Sequence, residues 1–232
     1  MNSVSAIIVA AGRGNRMKAR LPKQFLNLDD HTILHHTLSH FGKHPDIEQT
    51  ILVVAQEYID SRELQISLPK NLRGHNFIIC QGGESRQESV ENGLKKISQD
   101  SEIVLVHDGV RPFISQKIIT ENIKMAREKG AALTAIPSTD TLKEVVDREV
   151  TNTLDRSRIW KAQTPQTFQK NILQTAFKKA KQNYFQATDE ASLVEKIHPV
   201  HIVQGNKYNF KITHREDLLM ARAYLKERES WK

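Results

Sequence analysis

Val4-Ser5-Ala6-Ile7-Ile8-Val9-Ala10-Ala11-Gly12-Arg13-Gly14-Asn15-Arg16-Met17 is an apolar run that stops at a small, glycine-bearing, basic turn. A strand covered on both faces needs apolar side chains on both sides of its pleat, so residues 4–10 read as an interior strand of a parallel sheet. Similar runs occur at 50–55, 76–80, 103–107 and 131–137. Patterns of helical period lie between them at 33–41, 57–66, 86–97 and 117–129. Strand and helix alternating over short connections predict an α/β protein with a doubly wound, mostly parallel sheet. Such sheets bind ligands beyond the carboxyl ends of their strands, which makes the residues after each strand the site candidates.

Residues 140–160 break the alternation with two short extended runs around a polar turn at 147–149, a pattern that predicts an inserted β-hairpin arm. An isolated hairpin is marginal in water, so the arm needs an outside surface, and a second subunit is the expected one. Helical patterns resume at 170–181 and 189–196, followed by a strand near 201–204, an extended run at 208–212 and a closing helix over 215–226. A single domain over 1–232 with this arm is the expectation.

The composition, 38% hydrophobic and 26% charged over 232 residues, suits a globular chain with a sizeable core. No window approaches the ~18 apolar residues of a membrane span, and Met1-Asn2-Ser3-Val4-Ser5 does not read as a signal peptide. A cytoplasmic address is therefore expected, without membrane partners. The lone Cys80 sits in an apolar run and reads as a buried, inert thiol. The net charge of +7 fits a polyanionic partner. Lys and Arg are spread along the chain and aromatics reach only 6%, which argues against nucleic acid and for a small molecule carrying several phosphates.

The turn after the first strand, with Pro22-Lys23-Gln24 beyond it, has the makings of a triphosphate cradle. Small residues such as Ala10, Ala11, Gly12 and Gly14 let backbone amides approach phosphate oxygens, and Arg16 and Lys23 add fixed positive charge. It is neither a Walker loop nor a dinucleotide fingerprint, since no Gly-Lys-Ser/Thr follows and Met17 stands where a third glycine should be. After the third strand, Gly82-Gly83 allows a flat base to lie on the backbone and Ser89 can hydrogen-bond a pyrimidine edge, although a helix cap by Glu84 or Ser85 explains the segment as well. After the fourth, His107-Asp108-Gly109-Val110-Arg111 places an aspartate where it can hold Mg²⁺ against phosphates, while His107 has a ligand or base reading and a commoner packed one. Gln163-Thr164-Pro165-Gln166 reads as a turn and Thr188-Asp189 as a helix start.

Taken in order, these segments resemble the 2-C-methyl-D-erythritol 4-phosphate cytidylyltransferases over essentially the whole chain. The resemblance includes Asn209-Phe210-Lys211-Ile212-Thr213 near the end. It implies a Rossmann-like nucleotidyltransferase fold, CTP and a polyol phosphate as substrates, Mg²⁺ as cofactor and a homodimer. By resemblance, Ala10, Ala11, Gly12, Gly83 and Ser89 hold cytidine, and Arg16, Lys23 and Lys211 hold phosphates. Asp108 serves metal and acceptor, and Thr141 and Arg156 grip the acceptor phosphate from the neighbouring subunit, with Thr164 and Thr188 nearby. The chain departs from the pattern at Glu84, where some members have aspartate, and at Gly109, where alanine is expected and the change should matter little. A cytidylyltransferase for another polyol phosphate, such as ribitol 5-phosphate, and a non-catalytic basic nucleic-acid-binding module are the alternatives.

Overall fold

Ile7 and Ile8, adjacent in sequence, point to opposite faces of the first strand, and each enters a different apolar core. That strand, β1 (Ser3–Ala10), lies inside a seven-stranded sheet of a computed structural model describing residues 3–14, 17, 21–72 and 76–230. Its neighbours are β4 (Ile47–Val54) and β6 (Ser101–Asp108), both parallel to it, with β5 (Asn76–Gln81) beyond β4. On the other side β10 (Trp160–Gln169) runs antiparallel between β6 and β7 (Ala131–Pro137), and β11 (His201–Gln204) closes the edge parallel to β7. Two residue pairs, Asn27–Leu28 (β2) and His31–Thr32 (β3), form a separate small hairpin that the sequence pattern did not announce.

Helices cover both faces. Ile8 packs with Leu38 and Phe41 of α1 (Ile33–Phe41) and Ile119 of α4 (Gln116–Lys129). Ile7 packs with Val90 of α3 (Arg86–Leu94) and Leu173 of α5 (Lys170–Gln182). Each fully buried Ile or Leu contributes about 1.5–3 kcal/mol, so these paired cores fix the sheet far more firmly than any helix propensity. Gly93 lets α3 approach closely, since a Cβ there would stand 2.8 Å from Ile7 Cγ2. Ser85 starts that helix by accepting a hydrogen bond from Glu88 N at 3.1 Å, which places Arg86 in the first turn at the sheet's carboxyl edge.

The parallel register then sets the site. Ala10 lies level with Val54, Val54 with Gln81, and Val9 with Asp108, so the residues following β1, β4 and β5 and the last residue of β6 emerge at one edge. A short α2 (Arg62–Ser67) after a separate 3-10 turn replaces the continuous helix expected over 57–66. Residues 208–212 form a loop rather than a strand, tied down by Ile212 N donating to Val110 O at 3.0 Å. The expected turn at 163–166 is instead the middle of β10. Pro165, which has no N–H to give a ladder, is accommodated where the register shifts between Ala162 and Gln166, after a cis Thr164–Pro165 bond.

The arm is a hairpin of β8 (Lys143–Val146) and β9 (Glu149–Thr153), turned through Asp147 and Arg148 with φ of 48° and 70°. Val145, Val146 and Val150 on it are 53%, 56% and 62% exposed in the isolated chain. The other elements are α6 (Glu190–Val194) and α7 (Arg215–Ser230). Leu218, Ala221 and Tyr224 of α7 pack against Leu28, Val110 and Phe113. Among the described residues no helix is long and apolar enough to cross a membrane.

Candidate active site

A cleft of about 1010 Å³ opens at the carboxyl edge of β1, β4, β5 and β6. Ala10, Ala11, Gly12 and Gly14 form one wall, with Lys23 beside them; Gly82, Gly83 and Ser89 form a second, and Asp108 and Lys211 a third. Arg16, expected in the cradle, lies outside the described residues.

The cradle's shape is set by Gln24, in a 3-10 turn over Lys23–Phe25. Its Nε2 donates to Ala10 O at 2.6 Å and Gly12 O at 3.1 Å. A trans peptide sets its N–H opposite its C=O, so the amides of Ala11 and Arg13 point away from Gln24. Gly14 has φ +70°, which a glycine adopts without strain. Across the cleft, Gly82 could carry no side chain, because a Cβ would stand 2.4 Å from that of Ala11. Gly109 is similarly pressed, its Cβ position being 2.9 Å from Ala10 Cβ. The glycine in place of alanine therefore does bear on the cradle, contrary to expectation.

Ser89 is 2% exposed at the cleft wall, and its hydroxyl already has partners: it donates to Ser85 O at 2.9 Å and accepts from Gly83 N at 3.0 Å. One lone pair is left, so toward a ligand Ser89 can only accept.

Asp108, whose side chain is only 7% exposed, gathers the cations. Its Oδ2 takes Arg111 Nε at 3.0 Å and Lys211 Nζ at 3.2 Å, and Arg86 Nη2 stands 3.6 Å from Oδ1. Burial alone would raise this carboxyl's pKa; Lys211, Arg111 and Arg86 outweigh it and hold the group well below the usual carboxylate range. Arg86 in turn donates from both terminal nitrogens to Glu190, at 2.6 and 3.0 Å.

His107 faces away from this chemistry. Asp108 N donates to Thr164 Oγ1 at 3.1 Å, so the Thr164 hydroxyl is free to donate to His107 Nδ1 at 2.9 Å, and His107 Nε2 donates to Arg111 O at 3.2 Å. That chain requires the neutral Nε2–H tautomer, and burial lowers the imidazole to about 3. The packed reading of His107 is the one the geometry supports.

Of the acceptor-side residues named from sequence, Asp108 lines the cleft, while Thr164 is buried behind it and reaches it only through the Asp108 amide. Thr141, Arg156 and Thr188 are exposed and do not line the cleft of their own chain. Four residues close to the chemistry had no role assigned from sequence: Arg86, Arg111, Glu190 and Asn209. Asn209 is fully buried, donates to Thr164 O at 2.7 Å, and accepts on its own carbonyl from Arg111 Nη1 at 2.8 Å. The signal for them was their place in motifs shared with the family; their pairing across 98 to 104 positions leaves no mark on a one-dimensional pattern.

A glycine-lined backbone cradle and cations gathered around a buried carboxylate, at the carboxyl edge of a mostly parallel sheet, are the features of a nucleotidyltransferase. The profile of one family, 2-C-methyl-D-erythritol 4-phosphate cytidylyltransferase, matches residues 4–227, and the chain belongs to that family. It is 45% identical over 228 residues to the enzyme of that name from Syntrophus aciditrophicus, covering 97% of both chains. It is 41% identical over 222 residues to the one from Clostridioides difficile, covering 95% of this chain and 93% of the relative. Among solved structures, 4-diphosphocytidyl-2C-methyl-D-erythritol synthase from Anaerococcus prevotii superposes with a TM-score of 0.84 at 31% identity, covering 97% of this chain and 96% of that one. The cytidylyltransferase from Thermus thermophilus gives 0.79 at 32% identity, covering 97% and 99%.

Proposed function

We propose that this chain transfers the cytidylyl group of CTP to 2-C-methyl-D-erythritol 4-phosphate in the cytoplasm. An oxygen of the acceptor's phosphate forms a bond to the α-phosphorus of CTP as the bond to the β-phosphate oxygen breaks, giving 4-diphosphocytidyl-2-C-methyl-D-erythritol and pyrophosphate. The observation that carries this reading is the convergence of Lys23, Lys211 and ionised Asp108 on one cleft, with His107, the residue before Asp108, held neutral. A phosphate monoester has its second pKa near ~6, so the nucleophile is already deprotonated at neutral pH and needs no general base. The obstacle is repulsion between two polyanions, and preorganised cations answer it. Mg²⁺ suits a site with one carboxylate and substrate phosphates, and Asp108 Oδ1, which has no hydrogen bond among the described residues, is the group that would hold it or the acceptor. When bound, the ion would neutralise charge on the phosphates. The test is pyrophosphate release that requires CTP, Mg²⁺ and the acceptor together.

Base choice follows from Ser89. Cytosine offers an exocyclic amine where uracil offers an oxygen, and a serine that can only accept favours the amine. CTP should exceed UTP in kcat/KM by at least about tenfold, and Ser89→Ala should bring the ratio within about threefold. An unchanged CTP-to-UTP ratio in that variant would take Ser89 out of base selection.

The arm supports a homodimer with shared sites. Its valines are exposed in the isolated chain, and Thr141 and Arg156 lie off their own cleft. Arg156 presents a planar fork suited to phosphate oxygens. Arg156→Ala should therefore raise the acceptor KM, lower turnover and spare CTP binding. Mixing Arg156→Ala with Lys23→Ala should restore activity toward about a quarter of wild type, because random reassortment makes half the dimers mixed and gives each mixed dimer one intact site. Zero recovery despite proven subunit exchange would place arm and cradle in one chain's site.

A further inference from the structure

Asp108 has two unlike oxygens. Oδ2 is engaged by Arg111 and Lys211, whereas Arg86 Nη2 approaches Oδ1 only to 3.6 Å, outside hydrogen-bond range, and Oδ1 has no hydrogen bond among the described residues. A guanidinium next to an ionised carboxylate normally closes to about 2.7–2.9 Å. Arg86 does not: each of its terminal nitrogens donates one hydrogen bond to Glu190, and this two-point pairing fixes the guanidinium's position, although Nη2 keeps a second N–H.

Glu190 is well anchored for that task. It is 1% exposed and opens α6, where Asp189 caps the helix by accepting from Ser192 N at 2.9 Å. Gln166 of β10 grips both sides of Glu190, donating to Asp189 Oδ2 and accepting from Ala191 N, each at 2.8 Å. The backbone that carries Glu190 is thus tied to the sheet, and Arg86, in the first turn of α3, is drawn toward its carboxylate and away from Asp108.

We infer that Glu190 is a positioning residue for the acceptor: by holding Arg86 back, it keeps Oδ1 of Asp108 open to the incoming polyol phosphate. Without the Glu190 charge, Arg86 has to move less than about 1 Å to close on Oδ1 and occupy the oxygen itself. The loss on mutating Glu190 is then caused by Arg86, not by the absence of Glu190, and removing Arg86 as well relieves it. This rests on the reading of Asp108 as the acceptor-contacting carboxylate.

The experiment is a double-mutant cycle on the full-length protein, read by pyrophosphate release with CTP, Mg²⁺ and 2-C-methyl-D-erythritol 4-phosphate. Glu190→Gln is expected to raise the acceptor KM about tenfold while the CTP KM stays within about twofold. Adding Arg86→Gln to it should lower the acceptor KM again by at least about threefold. Glu190→Asp, which keeps the charge, should leave the acceptor KM within about threefold of wild type. A near-normal Glu190→Gln enzyme, or a double variant no better than Glu190→Gln, overturns the inference. If Glu190→Gln does not accumulate as folded protein, Glu190→Asp and the double variant decide, and a tenfold rise in the acceptor KM of either overturns it. Wild-type protein inactive with CTP and this acceptor would overturn the proposed reaction and this inference together, whereas an active wild type with a failed cycle removes only the role of Glu190.

Discussion

Replacing Lys211 with alanine is expected to lower kcat for pyrophosphate release by about 10²–10³, corresponding to roughly 3–4 kcal/mol of lost transition-state stabilisation. Lys211 is in the right place for such an effect. Its ammonium lies at the cleft, 35% exposed and 3.2 Å from Asp108 Oδ2, and the next residue, Ile212, is pinned to Val110 by a backbone hydrogen bond. The position is set by the fold while the charge remains available to a phosphate. Negative charge grows on the leaving pyrophosphate during transfer, so a preorganised cation there acts more on the transition state than on bound CTP. The CTP KM should accordingly change much less than kcat. Lys211→Arg keeps the charge in a different geometry and should recover part of the rate. Steady-state kinetics separate these effects, and a Lys211→Ala enzyme within about threefold of wild-type kcat would remove Lys211 from the chemistry.

Asp108→Asn should be at least as damaging, with kcat/KM for the acceptor lower by about 10³. Asparagine preserves the shape but not the charge that three cations surround. Alanine is a poorer test, because removing one partner from a buried ion cluster typically costs about 3–5 kcal/mol of stability. The wild-type pH profile provides a second check. With Asp108 ionised throughout the working range and His107 neutral, neither should titrate between about pH 5 and 9. The rate should fall on the acid side near ~6, where the acceptor phosphate gains its proton, and should move with that phosphate's pKa when the acceptor is changed. An acid limb that stays fixed across acceptors of different phosphate pKa would point to a group on the protein instead.

The sheet was legible because burial on both faces writes continuous apolar runs, and β1, β4, β5, β6 and β7 all carry one. β10 was not, because Gln163, Thr164, Pro165 and Gln166 are polar or ring-locked residues that usually mark turns. The buried side chains of Gln163, Thr164 and Gln166 bond to Asn206, His107 and Asp189 respectively instead of facing water. The cradle could be read from local chemistry, since glycine, alanine and lysine cluster within one turn. The Asp108 cluster could be read at Asp108 itself, and at Lys211 only through the family resemblance. Arg86, Arg111 and Glu190 meet it through register and helix placement, and each alone has an ordinary reading as a helix-start arginine, a turn arginine or a helix-cap glutamate. Ser89 was found for its position, but its donor is used inside the chain, which narrows what it can recognise.

The central claim is tested most directly by measuring pyrophosphate release across a panel of CTP, UTP, ATP and GTP, each with 2-C-methyl-D-erythritol 4-phosphate or ribitol 5-phosphate, with and without Mg²⁺. Release is expected only with Mg²⁺, with CTP far ahead of the other nucleotides, and with the erythritol phosphate well ahead of ribitol 5-phosphate. Preference for ribitol 5-phosphate, comparable turnover with GTP, or no release from any pair would contradict it.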